Sequence, residues 1–175
     1  MADESEAARP TIEGLLRDAS RALEAGQLDH ADALFEEVTN RRPSRVEGHL
    51  GRAHAALRRG RPAEALRFVN PALDAAPTSV EVYDLAAFVG THGGVTDLAI
   101  SWLERGAAAL PREPRIFEHL VRLYALDGRL EDLRQCLAHY GRLVGLPSGR
   151  AAIRFTRDAS LPEDLRSRIA VAAGF

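Results

Sequence analysis

The sequence predicts an all-α fold, an α-solenoid in which helix-turn-helix hairpins of one length follow one another along the chain. Three observations predict it. Gly26, Gly60, Gly94 and Gly128 recur at an interval of 34 residues, and Pro43, Pro77 and Pro111 keep that interval at an offset of their own. When the rows 12–45, 46–79, 80–113 and 114–147 are aligned, small and bulky apolar residues fall into matching columns. Glycine and proline punctuate the backbone, so a shared period of both means one turn-and-stop unit used repeatedly. No two-residue alternation of the kind a half-buried strand shows competes with this pattern.

Taken in order, residues 1–10 are acidic and rich in small side chains, and are expected to be a disordered tail. Each first helix opens on a bulky residue, Leu15, His49, Tyr83 or Phe117. A small-residue column follows at Ala19, Ala53, Ala87 and Val121, where two helices are expected to cross closely. Ala22, Ala56, Gly90 and Tyr124 complete the buried stripe. The period glycine then ends the helix by adopting a positive φ that other residues adopt only at a cost. On the second helix Ala31, Ala65, Ala99 and Leu133 are followed four residues on by Phe35, Val69, Leu103 and Leu137, a spacing that stacks side chains on one face. The prolines close the units, and Ser44-x-x-Glu47 and Thr78-x-x-Glu81 read as capping boxes opening the next. Past Pro147 the period fades. Residues 148–175 read as a terminal helix pair, one helix within Ala151–Asp158 and one begun by Ser160-x-x-Glu163, with Pro162 in its first turn and Leu165, Ile169 and Val171 as anchors. A hairpin of this kind cannot bury its own apolar face and stacks on its neighbours, so the array needs such a cap.

Composition narrows the function classes. With 46% hydrophobic and 27% charged residues in 175, the chain is an ordinary globular sequence, able to bury about two-thirds of its unfolded surface. A formal charge of −2 supplies no overall pull toward nucleic acid or anionic membrane. All 23 basic residues are arginine, a global bias that fits a GC-rich bacterial genome better than a local binding device. The first ten residues lack the basic start and apolar stretch of a secretory signal, and no run approaches the ~18 apolar residues that span a bilayer, so a cytoplasmic protein is expected. The lone Cys136 fits a reducing compartment and a packed thiol. Metalloprotease, phosphate-loop, serine-hydrolase and paired CxxC signatures are absent from the sequence, so no enzyme and no cofactor are expected. The Gly90-Thr91-His92-Gly93-Gly94 stretch has no preceding strand and reads as a loosened helix end between units. His30, His49, His54, His92, His119 and His139 form no i, i+4 pair, and Cys136 with His139 offers only two ligands, so no metal site is expected.

A 34-residue unit with a bulky residue, a small one, a turn glycine, Ala-x-x-x-Phe on the second helix and a closing proline resembles the tetratricopeptide repeat. The first row carries the motif best, in Ala19, Gly26, Ala31, Phe35 and Pro43; the fourth substitutes Leu133 for the alanine and sets Pro147 two residues late. The family's first-helix tryptophan is missing throughout. The resemblance covers 12–147 and implies a right-handed superhelix of four units, 12–45, 46–79, 80–113 and 114–147, followed by a C-terminal capping pair. It also implies a job in protein–protein interaction, with a partner's segment held along the first helices.

The exposed stripe of those helices runs Glu13, Leu16, Ser20, Leu23; Glu47, Leu50, His54, Leu57; Glu81, Asp84, Phe88, Thr91; and Arg115, Glu118, Arg122. Leu16, Glu47, Leu50, His54, Glu81, Asp84, Phe88 and Arg122 are the expected partner contacts. The acidic ladder Glu13, Glu47, Glu81 beside an apolar middle suits an extended or helical segment with apolar anchors flanked by basic side chains. Glu47 and Glu81 are already explained by helix capping and the N-terminal dipole, a reading that takes precedence over ligand contact without excluding it. The carboxylate clamp of repeats that grip chaperone tails does not match, since its places hold Leu16, Ser20, Gly51, Glu81 and Leu85. An arginine block, Arg41 to Arg67, follows an acidic stretch; without interleaved aromatics for base stacking, nucleic acid is not the expected partner. A secretion chaperone and a regulatory or assembly subunit of an enzyme complex are the competing readings. Self-association through Ile153, Phe155 and the Val171–Phe175 end stays open.

Overall fold

The computed structural model describes residues 10–174, so the tail prediction for residues 1–9 and the role given to Phe175 fall outside the described residues. The described residues form ten α-helices and no strand: α1 (Ile12–Glu24), α2 (Leu28–Arg41), α3 (Val46–Arg58), α4 (Pro62–Ala75), α5 (Val80–His92), α6 (Thr96–Ala109), α7 (Pro114–Asp127), α8 (Leu130–Val144), α9 (Ser148–Thr156) and α10 (Glu163–Ala173). The chain divides into two compact units, Met1–Ala76 and Pro77–Phe175.

In the first unit, α1 starts where the Thr11 hydroxyl oxygen accepts the Gly14 N–H at 3.1 Å. Helices α1 and α2 meet through Ala19, Ala22, Ala31 and Phe35, with Leu16, Leu23 and Leu34 packed around them. Gly26 and Gly60 turn the hairpins at φ of +77° and +72°, the left-handed region that glycine enters without steric cost. Helix α3 seats against α2 because Gly51 has no side chain: a Cβ there would lie 2.4 Å from the Phe35 ring.

Charge then stitches the hairpins. Arg52 reaches Asp32 and Glu36, each at 2.9 Å, and lies over the Phe68 ring. The largely buried Arg59 bonds Asp29 at 2.8 Å, Asp32 at 3.5 Å and the Leu28 carbonyl at 3.0 Å. Arg41 pairs with Glu37, Arg45 with Glu13 and Glu47, Arg61 with Glu64, and Arg58 donates to the Leu23 carbonyl. These arginines of the basic block are therefore engaged in holding their own unit together. Replacing Arg59 by Ala is expected to cost about 1–3 kcal/mol, because the Leu28 carbonyl and the half-buried Asp32 lose a donor that a smaller side chain cannot supply. Urea denaturation followed by circular dichroism measures it.

In the second unit, Gly94 and Gly128 make the corresponding turns at φ of +68° and +77°. The Tyr83 hydroxyl donates to the Pro77 carbonyl at 2.8 Å, and in the first unit His49 Nε2 meets the Pro43 carbonyl at 2.9 Å. One column thus fastens α3 and α5 each to the proline turn before it. Phe117 has no polar atom for that bond; His139, packed on its ring at 4.3 Å, reaches the Pro111 carbonyl instead. Helix α9 is anchored by the buried Phe155, which meets Tyr140 edge-on at 5.5 Å. Helix α10 packs on α9, α8 and α7, and Arg168 donates to the last-turn carbonyls of α7, Ala125 at 2.9 Å and Leu126 at 3.2 Å.

Three local expectations are corrected. The capping boxes do not form: α3 and α5 begin one residue later than the pattern requires, with Arg45 and Ser79 at the cap positions and no side-chain cap bond. Arg45 engages acids instead, and the Ser79 hydroxyl donates to Glu81 at 2.7 Å. Pro162 precedes α10 rather than entering it, and Ser160 bonds back to Asp158. Gly90 is no loosened end. It lies inside α5 against Ala99 of α6, where a Cβ would fall 2.3 Å from the alanine methyl.

Candidate partner-binding surfaces

The expected contact residues fall on both units. In the first, Leu16 and Leu50 are half-buried while Glu47 and His54 are exposed. Leu16 packs on the α1–α2 cluster. Arg45 sits 3.2 Å from Glu47 and 3.7 Å from Glu13, so these acids present much less free charge than the stripe implies. His54 remains solvent-exposed on α3, yet neighbouring groups desolvate its ring and lower its pKa below the ordinary histidine value.

In the second unit the fold gathers Asp84, Phe88 and Arg122 around one cleft of about 480 Å³. Glu81 stands apart on the first turn of α5, exposed and held by Ser79, whose hydrogen bond lowers its pKa. Helices α5 and α7 form two walls, and Leu161, Pro162 and Leu165 close a third side. Asp84 Oδ1 lies 2.8 Å from His119 Nε2, and its other oxygen meets Arg115. Arg122 lies 3.5 Å from Asp158 and over the Phe155 ring at 5.6 Å. The Asp158 carboxylate accepts from the Ser160 hydroxyl and N–H, and these bonds, with Arg122 adding less, hold its pKa below the usual value. Phe88, stacked on His92 at 3.9 Å, is 49% exposed and Leu126 is 39% exposed. The cleft therefore offers an apolar floor and a rim of matched charges. Leu161, Pro162 and Leu165 were not among the expected contacts, because nothing periodic links residues near 160 to α5 and α7.

A second cleft of about 370 Å³ lies over α6, α7 and α8, among Glu104, Phe117, Tyr124, Cys136, His139 and Arg142. The Tyr124 hydroxyl donates to Glu104 at 2.9 Å, and burial, followed by that carboxylate, raises its pKa. Burial pushes the Cys136 thiol up to about 12, and its S–H points at the Phe117 carbonyl 3.5 Å away. A thiolate is the reactive form, so Cys136 is expected to react with a thiol reagent at pH 8 at least ~100-fold more slowly in the folded chain than in urea. Equal rates would mean the thiol is open. Among the described residues no group of three or more His, Cys, Asp or Glu is placed to hold a metal ion. No described helix is long and apolar enough to cross a membrane.

Residues 22–87 match the tetratricopeptide-repeat family. Over those residues the chain carries the repeat of that family. Solved structures agree in fold. MamA is similar with a TM-score of 0.66 at 16% identity, over 93% of this chain and 89% of that one. YrrB, a repeat protein with an unusual peptide-binding site, gives 0.63 at 14% identity over 97% and 89%. A thermophilic repeat protein of Thermus thermophilus gives 0.57 at 19% over 93% and 98%. No curated protein matches the sequence. The tandem helical hairpins place the chain in the all-α solenoid class these structures share, and such repeats are protein-interaction modules.

Proposed function

We propose that this tetratricopeptide-repeat chain is a non-catalytic bacterial adaptor of the cytoplasm, holding a segment of another protein on the exposed faces of its first helices. Residues 12–45, 46–79, 80–113 and 114–147 are the repeats in this reading, and 148–175 the cap. The observation that carries it is the cleft of the second unit: Phe88 leaves half its surface to solvent beside an apolar floor, on a helix that buries Val82, Tyr83, Leu85 and Val89. A large aromatic at the mouth of an apolar cleft is the kind of anchor that supplies binding energy when a partner covers it. In the first unit Leu16, Leu50 and His54 are the corresponding contacts, with Glu47 at the helix start; Glu81, Asp84 and Arg122 orient the partner in the second. Preformed helices lower the ordering cost on this side only, so affinity of about a micromolar is expected.

The test compares partner recovery from the native source by the wild-type chain and a Leu50→Glu, Phe88→Glu double variant. Phe88 is half exposed and Leu50 partly so, and the melting transition should stay within a few degrees while recovery falls at least ~10-fold. Equal recovery by the two chains removes these faces from the mechanism.

A further inference from the structure

Residues 158–173 leave the repeat pattern. Within each unit a first helix packs on the first helix before it, as α3 does on α1 and α7 on α5. After α8 the closer approach to α7 comes from α10 rather than α9. The turn that begins at Asp158 carries Leu161, Pro162 and then Leu165 into the cleft beside Phe88 and Leu126, so a segment of the chain lies where a bound guest would lie. Its hold is modest. Helix α10 buries Leu165, Ile169 and Ala172 and starts without a side-chain cap bond. Polar ties join Asp158 to Arg122 at 3.5 Å and Arg168 to the end of α7. Phe88 and Leu126 stay partly open, so the segment covers the cleft without filling it.

We propose that residues 158–173 are a displaceable strap over the α5–α7 cleft, and that the partner segment displacing it carries the strap's own chemistry. That chemistry is a carboxylate to meet Arg122, followed by aliphatic side chains placed as Leu161 and Leu165 stand to Asp158. The inference rests on the partner-binding reading of this cleft and adds its ligand class and its control. A strap tethered by a short turn acts at an effective concentration in the millimolar range, so it yields only to a segment that binds the open cleft better or abounds. The cleft is thereby kept from sticky, nonspecific contacts until the matching sequence arrives.

Hydrogen exchange on the full chain tests this, with a synthetic peptide of residues 158–174 as the probe. Without peptide, α10 amides are expected to exchange at least ~10-fold faster than those of α7 and α8, as a separately opening segment would. Asp158→Asn should accelerate α10 alone by a further ~2–5-fold, the size of an exposed ion pair. Peptide at about 2 mM, near the effective concentration of the tether, should deprotect α10 in the wild type, more strongly in Asp158→Asn, and not in Phe88→Glu. If α10 exchanges in step with α7 and α8, or if the peptide leaves its protection unchanged, the strap is wrong. None of these readouts uses the cellular partner, so the strap fails separately from the adaptor reading. A pull-down indifferent to Phe88→Glu, with the peptide still loosening α10, would sink the adaptor reading alone.

Discussion

Replacing Gly90 by alanine is expected to destabilise the second unit by about 2–4 kcal/mol, although the same change in an exposed helix gains about 1 kcal/mol in propensity. The reversal comes from one distance. A Cβ on Gly90 would lie 2.3 Å from the Ala99 methyl and 3.2 Å from the Ala99 Cα. Neither of those atoms belongs to a flexible side chain, so relief requires α5 and α6 to move apart, which opens the packing around Val89 and Leu103 as well. The control is Gly94→Ala, where nothing lies within 4 Å but φ is +68°. That substitution meets strain without a clash and should cost only about 1 kcal/mol. A Gly90→Ala, Ala99→Gly double variant should recover at least ~1 kcal/mol of the coupled loss in a double-mutant cycle. Urea melts of wild type, Gly90→Ala, Ala99→Gly, the double variant and Gly94→Ala decide it; a Gly90→Ala chain as stable as wild type would mean the helices do not approach this closely.

Phe155→Ala is the second large loss, expected at about 3–5 kcal/mol. Phe155 is fully buried, meets Tyr140 edge-on, and carries the Arg122 guanidinium over its ring. Truncation leaves a ring-sized void under α9, removes the aromatic pair and strips Arg122 of its apolar support. Helix α9 has only nine residues, too few to hold a helix by local bonds alone, so its position depends on this anchor. Because α9 leads directly into the Asp158 turn, exchange protection of α10 should fall with it. Phe155→Leu keeps most of the volume and should recover more than half of the loss. A loss below about 1 kcal/mol for the alanine variant would show that α9 is held by its polar contacts, Arg154 to Glu118 among them.

How far the sequence alone could be read follows from the range of each cause. Turn glycines were legible because a positive φ is a requirement of one residue and its neighbours. Gly26, Gly60, Gly94 and Gly128 all meet it. The i, i+4 columns were legible for the same reason: Ala31 with Phe35 and Ala99 with Leu103 lie one turn apart and bury together. The capping boxes misled because a hydroxyl three residues before a glutamate does not say which residue begins the helix. A one-residue shift left Ser44 and Thr78 outside.

Within the candidate site, Asp84, Phe88 and Arg122 could be named from their places on the first-helix stripe, since each sits at a fixed offset from its turn. By itself, then, the sequence determined the hairpins, their turns and which helix faces are apolar, all of which are set by contacts within about four residues along the chain. Only the tertiary structure decided that Gly51 and Gly90 are points of helix contact, that Arg52 and Arg59 of the arginine block meet acids of α2, and that Leu161 and Leu165 close the cleft. Those outcomes depend on which side chains meet across tens of residues. Once the 34-residue register stops at Pro147, nothing local dictates where the remaining chain turns back, and packing against α7 and α8 settles it.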